Sequence, residues 1–129
     1  MQDNAMLAIV EQAYRGALEK QFFDCFCLAA ELHRQLGGLD MLLRGAAATY
    51  AVPAPEPVSL ILGGRELATF SVPRTNLGTL LDAGAGVFVE REGLAEHGLT
   101  DVEPIDGITV VEGQELARRW PDYRTVCFL

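Results

Sequence analysis

From Asn76 to Leu129 the chain alternates short apolar runs with short helical patterns, and that order leaves few folds open. The spacing predicts a helix over Asn76 to Ala83, a strand over Gly86 to Glu90, and a short helix ending at His97-Gly98-Leu99. A strand over Ile108 to Val111, a helix over Gly113 to Trp120 and a last strand over Thr125 to Leu129 follow. Apolar strands separated by helices pack as a parallel sheet covered by helices.

The first half fits the same architecture. Met6-Leu7-Ala8-Ile9-Val10 is an unbroken apolar run, as expected of a central strand buried on both faces. Phe22 to Leu36 reads as a helix, with Phe22, Phe26, Ala29, Ala30, His33 and Leu36 on one face. Gly37-Gly38 should end it, and Leu39 to Leu43 follows as a second strand joined by a right-handed crossover. Gly45 to Ala51 suits either a short helical turn or a continuing strand. Pro53, Pro55 and Pro57 forbid regular structure at alternate positions. Val58 to Leu62 and Arg65 to Val72, joined by Gly63-Gly64, read as a β-hairpin inserted in the α/β chain, as a sheet edge or an oligomer contact. The expectation is one α/β domain over residues 1–129, with a mostly parallel sheet of five strands, helices on both faces and an inserted hairpin.

A chain of 129 residues can bury a core without metals or disulfides. A net charge of −8 argues against direct binding of a nucleic-acid backbone, which needs clustered Lys and Arg. No targeting segment and no apolar run long enough to span a membrane is read in the sequence, so a cytoplasmic location is expected. The three cysteines are an odd count, which suits reduced thiols. Neither a metal site nor an organic cofactor motif is read: no His/Cys spacing suits zinc, and no phosphate-binding glycine pattern occurs.

Candidate site residues follow from position. Cys25 and Cys27 lie two apart on a helix and so point to different faces, which excludes joint ligation of one metal from a regular helix. Both suit packed thiols. If the helix begins near Gln21, Cys25 is also near enough to its start for a lowered thiol pKa. Cys127 sits on the last strand between Val126 and Phe128, as a packed thiol or one near a subunit contact. The carboxyl ends of parallel strands face the ligand crevice. Tyr14 and Arg15 follow the first strand, and Glu90 and Arg91 follow the strand Val87 to Val89, so these four are the ligand-binding candidates. Glu90 and Glu92 equally suit the positive end of a helix. Structural roles are expected for His33 and His97.

The wording Ala83-Gly84-Ala85-Gly86-Val87-Phe88-Val89-Glu90, followed by Gly93-Leu94-Ala95-Glu96-His97-Gly98-Leu99, resembles the small DsrE/DsrF/TusC-like proteins of bacterial sulfur relay. The resemblance implies a compact α/β sheet, assembly into homo- or hetero-oligomers (trimers or hexamers), and sulfur-carrier proteins as partners. It also implies a cysteine at the carboxyl end of a strand that accepts a persulfide sulfur. In catalytic subunits that cysteine precedes the helix beginning here near Pro73-Arg74-Thr75-Asn76. In others it follows the strand ending here at Val89, where this chain has Glu90 and Arg91. No cysteine occurs between Cys27 and Cys127. The expected role is therefore a non-catalytic partner or scaffold. Should sulfur be carried, Cys127 or Cys25 is the candidate. The alternative is a small-ligand-binding module using the crevice at the strand carboxyl ends.

Overall fold

The computed structural model describes residues 5–13, 24–55, 60–67 and 72–129. Its centre is a five-stranded sheet in the order β6-β5-β2-β1-β7. The strands are β1 (Met6–Val10), β2 (Leu39–Leu43), β5 (Gly86–Glu90), β6 (Ile108–Val111) and β7 (Thr125–Phe128), and every neighbouring pair is parallel. A separate antiparallel hairpin joins β3 (Leu60–Leu62) to β4 (Arg65–Leu67). At its turn Gly63 and Gly64 both take positive φ, 57° and 77°, as a type I′ turn requires. The flanks Val58-Ser59 and Ala68 to Ser71 lie outside the described residues.

β1 and β2 are buried along their whole length because helices cover both faces. Met6, Ala8 and Val10 point to the larger core, with Met41 and Leu43. That core is closed by Phe26 and Ala29 of α1 (Cys25–Leu36), Leu77 and Leu80 of α2 (Pro73–Asp82), Leu94 of α3 (Arg91–Glu96), and the 3-10 helix Gly45–Ala51. Ala5, Leu7, Ile9 and Leu42 point to the other face, where Leu116 of α4 (Gly113–Ala117) and Tyr123 pack. Asp40, alternating with Met41, is also fully buried, and its Oδ2 accepts from the Tyr123 hydroxyl at 2.7 Å. Burial, with that bond and the carboxylate's charge behind it, pushes the phenol pKa well up, so Tyr123 stays a donor at any ordinary pH.

The element boundaries depart from sequence expectation where capping chemistry decides them. α1 begins at Cys25, because Asp24 is extended (φ −144°, ψ −175°) and its Oδ1 accepts from Phe26 N–H at 2.9 Å and Cys27 N–H at 3.2 Å; Phe22, where the expected helix began, lies outside the described residues. Its Oδ2 accepts from Asn76 Nδ2 at 3.0 Å, so one carboxylate caps α1 and ties it to the first turn of α2. Asp24 is 7% exposed, so Asp24→Ala leaves three donors to find new partners. We expect it to lower the unfolding free energy by about 1–2 kcal/mol in urea titration.

α2 begins at Pro73, since the first turn of a helix tolerates the missing proline N–H. α4 stops at Ala117 instead of reaching Trp120, and Trp120–Asp122 forms a separate 3-10 turn. Pro121 cannot continue an α-helix and restricts the residue before it. Of the two states open to Gly45–Ala51, the helical one is adopted, as 3-10 helix.

Both histidines act within the scaffold. Leu39 N–H donates to His33 Nδ1 at 3.0 Å, which leaves Nε2–H to donate to the Ala83 carbonyl at 3.0 Å. One ring thus joins α1, the start of β2 and the end of α2. His97 Nδ1 lies 2.9 Å from the Gly93 carbonyl, one turn back along α3.

Candidate functional site

All five parallel strands deliver their carboxyl ends to one side of the molecule, together with the first turns of α1, α2, α3 and α4. Glu90 ends β5 there. Glu11 follows β1, Arg44 follows β2, and Glu112 follows β6.

Glu90 is 8% exposed, and Arg44 Nε lies 3.4 Å from its Oε2. A Cβ at Gly113 would stand 2.7 Å from the Glu90 carboxyl carbon and within 2.9 Å of both oxygens. A side chain at Gly113 would have to displace this carboxylate. Burial pushes the Glu90 carboxyl pKa up. Arg44 opposes that, and the nearby Glu92, Glu11 and Glu96 add to it. Arg44 Nε is also 4.0 Å from Glu11 Oε2, so one guanidinium spans the ends of β1, β2 and β5.

Arg91 and Glu92 turn toward β6 and α4 rather than into the crevice. Arg91 Nε donates to Glu112 Oε1 at 2.6 Å. Gly113 N–H donates to Glu92 at 3.1 and 3.3 Å. The Glu92 carboxyl is held below the usual range, first by its own backbone N–H and then by that of Gly113. These contacts lock α3 to α4 at the exposed rim.

Among the sequence candidates, the structure brings Glu90 and Arg91 to this end as neighbours with different partners. Tyr14 and Arg15 lie outside the described residues. Cys25 is the first residue of α1, closer to the helix start than expected, and is half-buried against the larger core with Ala13, Cys127 and Leu129. Cys127 pairs with Ala8 across β7 and β1, which turns its thiol to the same core, and burial pushes its pKa up. Cys27 is half-buried and lines an open groove of about 600 Å³ between α1 and α2, with His33, Arg34 and Thr79. Among the described residues, no group of three His, Cys, Asp or Glu side chains is arranged to hold a metal ion. No described helix is long and apolar enough to cross a membrane.

Arg44 and Glu11 were not among the sequence candidates. The rule that selected Glu90, a charged residue directly after a buried apolar strand, applies equally to both.

The crystal structure of the YchN protein from E. coli superposes on the whole chain: both chains are covered to 100%, with a TM-score of 0.72 and 20% identity. The chain shares the fold of that protein. No protein-family model matches the sequence, and no curated protein matches it. The likeness fixes the architecture: a single α/β domain with a five-stranded parallel sheet and helices on both faces.

Proposed function

We propose that this chain is a subunit of an oligomeric sulfur-relay assembly that does not itself carry the sulfur. The supporting observation is what occupies the two positions where the resemblance puts a sulfur-carrying cysteine. At the end of β5 stands Glu90, buried between Arg44 and Gly113. Before α2 the sequence reads Ser71-Val72, of which Ser71 lies outside the described residues, and in the first turn of the helix the Arg74 guanidinium donates to the Val52 and Thr49 carbonyls at 2.9 and 2.8 Å. Neither position holds a group able to form a persulfide.

The remaining thiols suit the same role. Cys127 is driven toward its neutral form, and a neutral thiol is a poor nucleophile. The hairpin offers a surface for partners: Ile61 is 77% exposed and Leu62 52%, and a two-stranded hairpin is marginal alone.

The test is incubation with a persulfide donor, followed by intact-mass measurement and thiol mapping. The expected result is no added sulfur on any of the three native thiols, with Cys25→Ser/Cys27→Ser/Cys127→Ser retaining the same fold and partners. Loading of a single cysteine in the native state would overturn the proposal and name the nucleophile.

A second reading, a small-ligand site at the strand carboxyl ends, draws on the buried Glu90 beside Arg44. Under it, ligand binding is insensitive to the cysteine changes and sensitive to Arg15→Ala or Arg44→Ala, whereas Arg91→Ala, which the structure turns to Glu112 at the rim, should leave it unchanged.

A further inference from the structure

Glu90 and Arg44 differ in how far each can move. Arg44 is anchored by its backbone: its N–H donates to the Val10 carbonyl at 3.0 Å, and its carbonyl accepts from Ala47 N–H at 3.1 Å. Its side chain lies between two carboxylates, Glu90 at 3.4 Å and Glu11 at 4.0 Å, and is 34% exposed. The Glu90 side chain is only 10% exposed, and its carboxyl lies in the space that a side chain at Gly113 would fill, so it is far more enclosed than the guanidinium.

The charged groups around Glu90 come from every element packed there. Arg44 is the cation at the end of β2, and Glu11 stands at the end of β1. Glu92 and Glu96 face it from α3. Glu112, before α4, is engaged with Arg91. Among the described residues, this buried carboxylate is surrounded by acids and faced by a single, more exposed cation, an arrangement with two states.

We propose that Glu90 and Arg44 form an acid-operated latch across the carboxyl ends of β2 and β5. Ionised Glu90 holds the guanidinium inward. Protonated Glu90 releases it toward Glu11 and the solvent, where it presents a planar donor fork at the crevice mouth. The latch works whether or not the crevice takes a ligand.

The energetics run in the same direction. Burial places the Glu90 carboxyl above the ordinary carboxylate range, despite the pull of Arg44. A carboxyl whose folded pKa exceeds its unfolded value gives full stability below the unfolded pKa. That stability is lost as pH rises through the folded pKa. The latched state is therefore strained by desolvation, and acid relieves it.

The experiment follows the Arg44 Nε–H resonance and the Glu90 side-chain carboxyl carbon by NMR on the full chain. The pH is lowered from neutral through the carboxylate range. The two signals should share one midpoint, above that of exposed carboxylates. In Glu90→Gln the Arg44 resonance should sit at its acid position at every pH. In Glu11→Gln it should still titrate with Glu90. Melting gives an independent readout: Glu90→Gln should melt above the parent at neutral pH, with the gap closing as pH falls. An Arg44 signal that does not move, one that still titrates in Glu90→Gln, or a Glu90→Gln protein that melts lower at neutral pH would overturn the latch.

Discussion

Phe26→Ala is expected to lower the unfolding free energy by about 3–5 kcal/mol. The ring is fully buried one residue into α1 and meets Tyr50 edge-on, with centroids 4.9 Å apart and planes at 85°. Tyr50 lies in the 3-10 helix that follows Arg44, so the pair joins the start of α1 to the segment that sets Arg44. Truncation removes the apolar transfer energy of the ring and leaves a cavity between elements that strands and caps hold in place. In a domain of this size the melting temperature should fall by more than about 10 °C. Denaturant titration should show a lower midpoint at unchanged slope. A loss below about 1 kcal/mol would mean that the site collapses freely and that Phe26 does not anchor this corner.

The architecture was legible because its signals are periodic and long. Met6–Val10, Leu39–Leu43 and Gly86–Glu90 occupy the predicted strands, and the alternation of strands with helices gave the parallel sheet. Boundaries were less legible where a side chain rather than a pattern decides them. The apolar pattern in the sequence runs back to Phe22, yet α1 is capped at Asp24, whose carboxylate satisfies two helix N–H groups. In the same way, the helical pattern runs on to Trp120, and Pro121 stops it earlier.

The site was half legible. Glu90 was found because a charged residue ends a buried strand, but the sequence does not say that β2 lies beside β5. Without that adjacency Arg44 is one more charge after an apolar run. With it, Arg44 becomes the cation that meets Glu90. Arg91 was selected by the same positional rule, and the structure turns it to Glu112 at the rim. Position along the chain marks the end of a strand; side-chain direction and neighbouring strands decide what that end does. Asp40 shows the opposite case, an acid inside an apolar strand that gave no signal. Its partner Tyr123 is 83 residues away.

Gly93→Val should cost about 2–3 kcal/mol, against the direction of helix propensity. Gly93 lies within α3, where valine is slightly the better helix former. Packing decides the sign. A Cβ at Gly93 would stand 2.8 Å from the Ala48 Cβ and 3.1 and 3.2 Å from Gly45 N and O. None of these atoms ends a flexible side chain, so the 3-10 helix itself must move away from α3. Gly45 directly follows Arg44, and a shift there should carry the guanidinium off Glu90. The Arg44 Nε–H resonance should then approach its acid position at neutral pH, together with the loss of stability. Gly78 is the control: it lies in α2 with nothing within 4 Å of its Cβ position, so an added side chain there should be tolerated and leave Arg44 unmoved. Loss of stability in Gly93→Val with an unchanged Arg44 signal would separate the packing of α3 from the latch, and would place the control of Arg44 in β2 alone.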